Sequence, residues 1–200
     1  MSAVLAWVAG SGVVQGLIIG VVLAFLSAIV ILDRVAEAET TTVNGWRSIR
    51  RAGQPSNGWL VAAALQKALP LVNVFEEAAY WTTSVDSSGR KLSGDHAYRL
   101  HFPPGQLPPN DAFWSLTATD TAGYMVSSPA GRSSVDGHSG LVTNADGSVD
   151  VILQPRGPGA QAPNWLPIPA GRFSLILRAY LPGPAIVDGS YQVPAVVRAS

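Results

Sequence analysis

Hydrophobic positions along the chain fall into two regimes. Residues 13–32, VVQGLIIGVVLAFLSAIVIL, contain one strongly polar side chain, Gln15, and no Asp, Glu, Lys or Arg occurs before Asp33. A membrane-spanning helix needs about 20 mostly apolar residues, so this run is long enough to cross a bilayer. The competing reading is a cleaved signal peptide, with AEA at 36–38 as a small-residue cleavage site. That reading lacks a basic n-region, and the run exceeds the usual apolar core of about 7–15 residues. The pattern therefore predicts a retained anchor over 1–32, a polar connector over 33–57 and a folded domain over 58–200.

In GWLVAAALQKAL, residues 58–69, Ala and Leu dominate and Pro70 follows, which predicts one short helix ending near Leu69. Its apolar residues nearly encircle it, so burial against a sheet is expected. From Glu77 onward short apolar runs alternate with turn residues. Strands are predicted at 78–85, 97–102, 112–119, 171–182 and 191–197. Two hairpins are expected, one with YMVSS returning after the turn DTAG, the other over 141–154 around Asp146-Gly147. The proline-rich segment 103–111, the segment 128–140 and the segment 155–164 are predicted as loops. The expected fold class is all-β, an antiparallel β-sandwich or jelly-roll-like domain with one short helix, preceded by a transmembrane helix.

Charge adds little. Lys+Arg and Asp+Glu both number 13, which gives no electrostatic reason to expect nucleic acid. There is no cysteine, so disulfides and thiolate chemistry are excluded. Arg34, Arg47, Arg50 and Arg51 follow the anchor, and the positive-inside rule alone would place them in the cytoplasm. Long domains translocate regardless of such charges, and Asp33, Glu37 and Glu39 sit among the arginines. Within the anchor, Gly12, Gly16, Gly20, Ala24 and Ala28 recur every four residues, a stripe that lets a second helix approach closely.

Candidate chemistry is sparse. Alternation along AFWSLTAT puts Phe113, Ser115, Thr117 and Thr119 on one face and Trp114, Leu116, Ala118 and Asp120 on the other. The Trp114 face is expected to pack into the domain. Arg178 lies mid-strand, where a buried guanidinium needs a partner. A structural acid or backbone carbonyls are the first expectation, and a carboxylate or phosphate ligand is the second. Trp114, Asp120, Trp165, Arg178 and Tyr180 are the candidate ligand-binding residues. His96, His101 and His138 have no metal-site spacing, and no metal or other cofactor is expected. Nucleophile-elbow, P-loop and zincin motifs are absent from the sequence.

The segments LSGDHAYRLHFPPGQLPPNDAFWSLTATDTAGYMV, NADGSVDVILQ, NWLPIPAGRFSLILRAYLP and IVDGSYQVPAV, with NGW at 44–46, resemble a bacterial family catalogued as domain of unknown function number 1214. The resemblance runs from about Asn44 to Val197. Thr119 stands where the family usually has Tyr, and Gln192 where a larger residue or proline is typical. The resemblance implies an all-β sandwich, in longer proteins joined to a second β domain, number 1254, and no secure activity. The expectation is a single-pass protein of the bacterial inner membrane, its domain on the periplasmic side. It would act as a binding or interaction module with a companion subunit or a second copy, through Gly12, Gly16 and Gly20. The alternative is an enzyme on polysaccharide using Asp120, Arg178, Tyr98 or His101.

Overall fold

The computed structural model describes residues 10–69, 72–126, 131–157 and 162–199. They form two compact units. One holds two helices, and the other holds every strand.

In the helical unit, α1 spans Gly12–Ala38 and α2 spans Trp59–Ala68. Ser11 caps α1 by accepting from the Val14 N–H through its side chain. α1 is long and apolar enough to cross a membrane. It also continues six residues past the charge-free run that ends at Leu32, so Asp33 to Ala38 are helical. α2 begins after Gly58, as expected, but it shares a unit with α1 and not with a sheet.

The strand unit contains two sheets. The six-stranded sheet has the order β1 (Thr41–Val43), β2 (Trp46–Ser48), β3 (Ala78–Thr83), β9 (Ser174–Pro182), β5 (Asn110–Thr119), β6 (Ser134–Asp136). The four-stranded sheet has the order β10 (Val196–Arg198), β4 (Tyr98–Phe102), β7 (Val149–Gln154), β8 (Trp165–Pro167). Period-two alternation sends one set of side chains inward from each sheet. Trp81, Leu175, Leu177, Trp114, Leu116 and Val135 from the first meet Tyr98, Leu100, Phe102, Val151, Leu153 and Leu166 from the second in one hydrophobic cluster. Trp114 is 3% exposed, in line with the expectation for its face.

Several sequence expectations are corrected here. The pairing is not wholly antiparallel, because β7 and β8 run parallel. The connector contains the β1–β2 hairpin, turned by Asn44 and Gly45, both at positive φ. β6 lies inside the segment predicted as the 128–140 loop and takes the place beside β5 expected for YMVSS. Of YMVSS, Met125 makes a single bridge to Thr119, and residues 127–130 lie outside the described set. The Asp146-Gly147 turn forms, with Gly147 at φ +84°, but residues 141–144 build no strand before it. The final strand covers only Val196–Arg198, and a short helix, α3 (Pro184–Asp188), follows β9.

Candidate functional site

The outer face of the six-stranded sheet is built by the residues that alternate with its core positions. Register aligns Tyr80, Arg178, Ser115 and Asp136 across β3, β9, β5 and β6. One step along, Tyr180 stands opposite Phe113, and their rings stack with centroids 4.5 Å apart and planes 21° apart. Arg178 is half-buried, and its Nη1 donates to Thr117 Oγ1 at 3.4 Å. That partner is a neutral hydroxyl, not the acid or carbonyl expected. Asp136, two strands away, is occupied by its own turn: it accepts from the His138 N–H and the Ser139 hydroxyl, each at 2.9 Å. Among the described residues no carboxylate pairs with Arg178. The Tyr80 phenol is pushed up from its usual pKa, first by burial and then by the neighbouring Tyr180 phenol, while Arg178 works in the opposite direction.

The outer face of the four-stranded sheet is arranged differently. His101 on β4 stands opposite Asp150 on β7, and its Nδ1 lies 2.8 Å from Asp150 Oδ1. Arg99 Nε is 3.8 Å from the same oxygen, and Asn144 donates to Oδ2 at 3.0 Å. Burial pushes the Asp150 carboxyl up, but hydrogen bonds from His101 and Asn144 and the charges of His101 and Arg99 outweigh it and hold it below the usual range. These groups, with Asp146 and Ser148, line a wide open groove. Arg99 and His101 both neighbour Asp150, and Asp146 is occupied by the Ser148 N–H and hydroxyl.

The structure scatters the other candidates. Trp114 is inside the core. Trp165 is 6% exposed, donates from Nε1 to the Gln154 carbonyl at 2.9 Å, and lies under Gly157, where a Cβ would fall 2.2 Å from the indole. Neither indole offers a face for a ligand, which corrects their selection as binding residues. Asp120 is a turn acid, accepting from the Ala122 and Tyr124 N–H groups at 2.9 Å. Tyr98 is buried, its hydroxyl bonded to the Ser93 backbone. His101 and Arg178 sit on different sheets, so Asp120, Arg178, Tyr98 and His101 do not assemble into one pocket. Gly12, Gly16 and Gly20 lie open on α1, with nothing within 4 Å of a Cβ built on any of them. Of the five ligand candidates, the structure brings together Arg178 and Tyr180.

Sequence reasoning missed Tyr80 and Phe113 as neighbours of Arg178. The signal was available for Phe113, which shares the Ser115 face by alternation; Tyr80 needed the register of β3 on β9. Also missed was a cavity of about 80 Å³ lined by Trp46, Phe75, Trp81, Tyr191 and Arg50. The Arg50 guanidinium lies 5.2 Å from the Phe75 ring centroid and donates to the Val187 carbonyl, so protein groups already use its charge. Burial pushes the Tyr191 phenol up.

No curated protein matches the chain. A crystal structure of the VPA0106 protein from Vibrio parahaemolyticus is similar, with 27% identity and a TM-score of 0.62, over 70% of this chain and 35% of that one. A crystal structure of an uncharacterized protein from Burkholderia cenocepacia matches at 13% identity and a TM-score of 0.37, over 88% of this chain and 49% of that one. This chain thus spans about a third to a half of the length of these solved proteins. The model for the proteins of unknown function DUF1214 matches residues 77–184, narrower than the stretch read from sequence but more than half of the chain, and the chain belongs to that family.

Proposed function

We propose that this is a membrane-anchored binding module, a β-sandwich of jelly-roll type held at the bacterial inner membrane by α1 with its domain on the periplasmic side. Its ligand surface is the outer face of the six-stranded sheet, centred on Arg178. One observation carries this reading: a half-buried guanidinium, flanked by Tyr80, Tyr180 and Ser115, has no carboxylate partner among the described residues. A desolvated charge that folding leaves uncompensated is costly unless a ligand supplies the counter-charge.

The chemistry of the face favours a carboxylate on a hydroxyl-rich ligand. A single guanidinium balances one negative charge through its planar fork, whereas a phosphate would bring an excess. Beside Arg178, β9 pairs with β3 and β5, and β5 pairs with β6 over Ser115–Thr117, so the backbone groups at this spot are spent on the ladder and cannot receive a peptide strand. What remains is side-chain hydroxyls and ring edges, which suit an acidic saccharide. Gly12, Gly16 and Gly20 supply a close-contact stripe for association with a companion subunit or a second copy in the bilayer.

The test compares galacturonate, which carries a single carboxylate, with its methyl ester on the detergent-solubilised full chain by titration calorimetry. The acid is expected to bind and the ester to bind at least about tenfold more weakly, the scale of one lost charge-assisted contact. Arg178→Met is expected to remove the difference, and Arg178→Lys to restore only part of it. Equal binding of acid and ester by the wild type would sink the carboxylate assignment.

A further inference from the structure

α2 has an unusual setting. Its sequence, WLVAAALQKA, contains no acid, and its buried residues are Ala64 and Leu65. Trp59, Ala62, Ala63 and Gln66 share the opposite face by helical spacing and are exposed, Trp59 at 81%. α2 packs against α1 within one compact unit, and Lys67 forms an ion pair with Asp33. Asp33 is the first charge after the apolar run. The ion pair therefore ties α2 to the level at which α1 leaves the hydrocarbon. Above and below that level, Ile29, Leu32 and Val35 are half-buried and Ala36 is buried, at the spacing of one side of α1.

We propose that α2 is an interfacial membrane helix, lying among the lipid headgroups on the Asp33 side of the bilayer with Trp59 in contact with lipid. The proposal rests on the reading of α1 as a membrane anchor. Three features carry it. A ten-residue helix is too short to span and long enough to lie along the interface. An indole that takes no part in packing and stands beside a lipid-facing helix occupies the position tryptophan favours, with its ring apolar and its N–H hydrated. The occupant is set by continuity: the exposed apolar surface of α1, including Val22, Phe25 and Leu26, leads up to the level of Asp33. α2 would thus give the chain a second membrane contact, one that fixes the depth and tilt of the anchor.

The cysteine-free sequence allows single-site spin labelling of the full chain in nanodiscs. Labels are placed by Ala63→Cys on α2 and by Val22→Cys in the middle of α1, and accessibility to oxygen is compared with accessibility to a water-soluble nickel chelate. The Val22→Cys label is expected to read deep. The Ala63→Cys label is expected to fall between it and free label in buffer, and adding Trp59→Ser should shift it toward buffer. If Val22→Cys reads deep while Ala63→Cys matches free label, the interfacial helix is wrong and the anchor stands. If Ala63→Cys is shielded from both reagents, α2 contacts protein and the lipid assignment is overturned. If Val22→Cys itself reads as aqueous, the anchor and this proposal fall together.

Discussion

Each sheet presents an arginine from within a strand on its outer face, Arg99 on β4 and Arg178 on β9, and the two arginines live in opposite circumstances. The Arg99 side chain is 54% exposed and has Asp150 within 3.8 Å, shared with His101 and Asn144. Arg178 is half-buried and has a hydroxyl. The better hydrated cation therefore has the acid, and the more desolvated one lacks it. If both were placed for stability alone, the distribution would be reversed, since desolvation makes a counter-charge more valuable. The cross-strand neighbours decide the outcome. Arg99 is flanked by Ile152 and Val197, with Asp150 one diagonal away, whereas Arg178 is flanked by Tyr80 and Ser115. One face is closed on itself electrostatically, and the other is left open.

The largest effect should come from what the two faces share. Trp114→Ala removes a buried indole from the common interior and is expected to cost about 3–5 kcal/mol in a denaturant melt. Wild-type stability in that variant would mean that the inward side of β5 is not core, and the two outer faces would lose their common frame. Asp150→Ala should be milder, about 1–2 kcal/mol for the lost acceptor, reduced by solvent at a partly exposed site. It also carries a pH signature. The folded carboxyl is held below its usual value, so its contribution is present above the ordinary carboxylate pKa of about 3.9 and is lost as pH falls through the lower folded value. The wild-type minus Asp150→Ala difference in melting temperature should therefore shrink on acidification below about pH 4. Arg178→Met should destabilise least of the three, being neutral or slightly stabilising because it removes an uncompensated charge, while abolishing the preference for acid over ester. A loss as large as that of Asp150→Ala would make Arg178 a structural residue and erase the contrast.

The inward halves of the strands were legible because period-two alternation is a local property: Trp114, Leu116, Leu175 and Leu177 follow from it directly. The helix at 59–68 was legible from Ala and Leu content and from Pro70. The β1–β2 hairpin carried its signal in Asn44-Gly45, but its strands are polar and three residues long, so no hydrophobic alternation marked them. β6 was hidden for the same reason, with only Val135 turned inward. At the candidate site, Arg178 and Tyr180 could be placed on one face from spacing alone. Whether Arg178 had an acid could not, because that depends on which strands flank β9, and β3 is nearly a hundred residues distant in sequence. Trp165 misled for a related reason: it does point outward from its sheet, but Gly157 lies over it.

β8 is an edge strand of the four-stranded sheet. Anchored copies of a protein diffuse in two dimensions and meet far more often than the same number free in solution. Under those conditions a bare strand edge is a place for two domains to fuse. On β8 the Trp165 carbonyl lies 3.1 Å from Arg132 Nη1, which also holds the Ala162 and Pro163 carbonyls at 2.8 and 2.9 Å, and Pro167 has no N–H to give. An arriving strand would find an acceptor already taken and a donor missing. For the membrane-anchored module proposed above, one guanidinium and one proline would keep this edge of one copy from joining a sheet of the next.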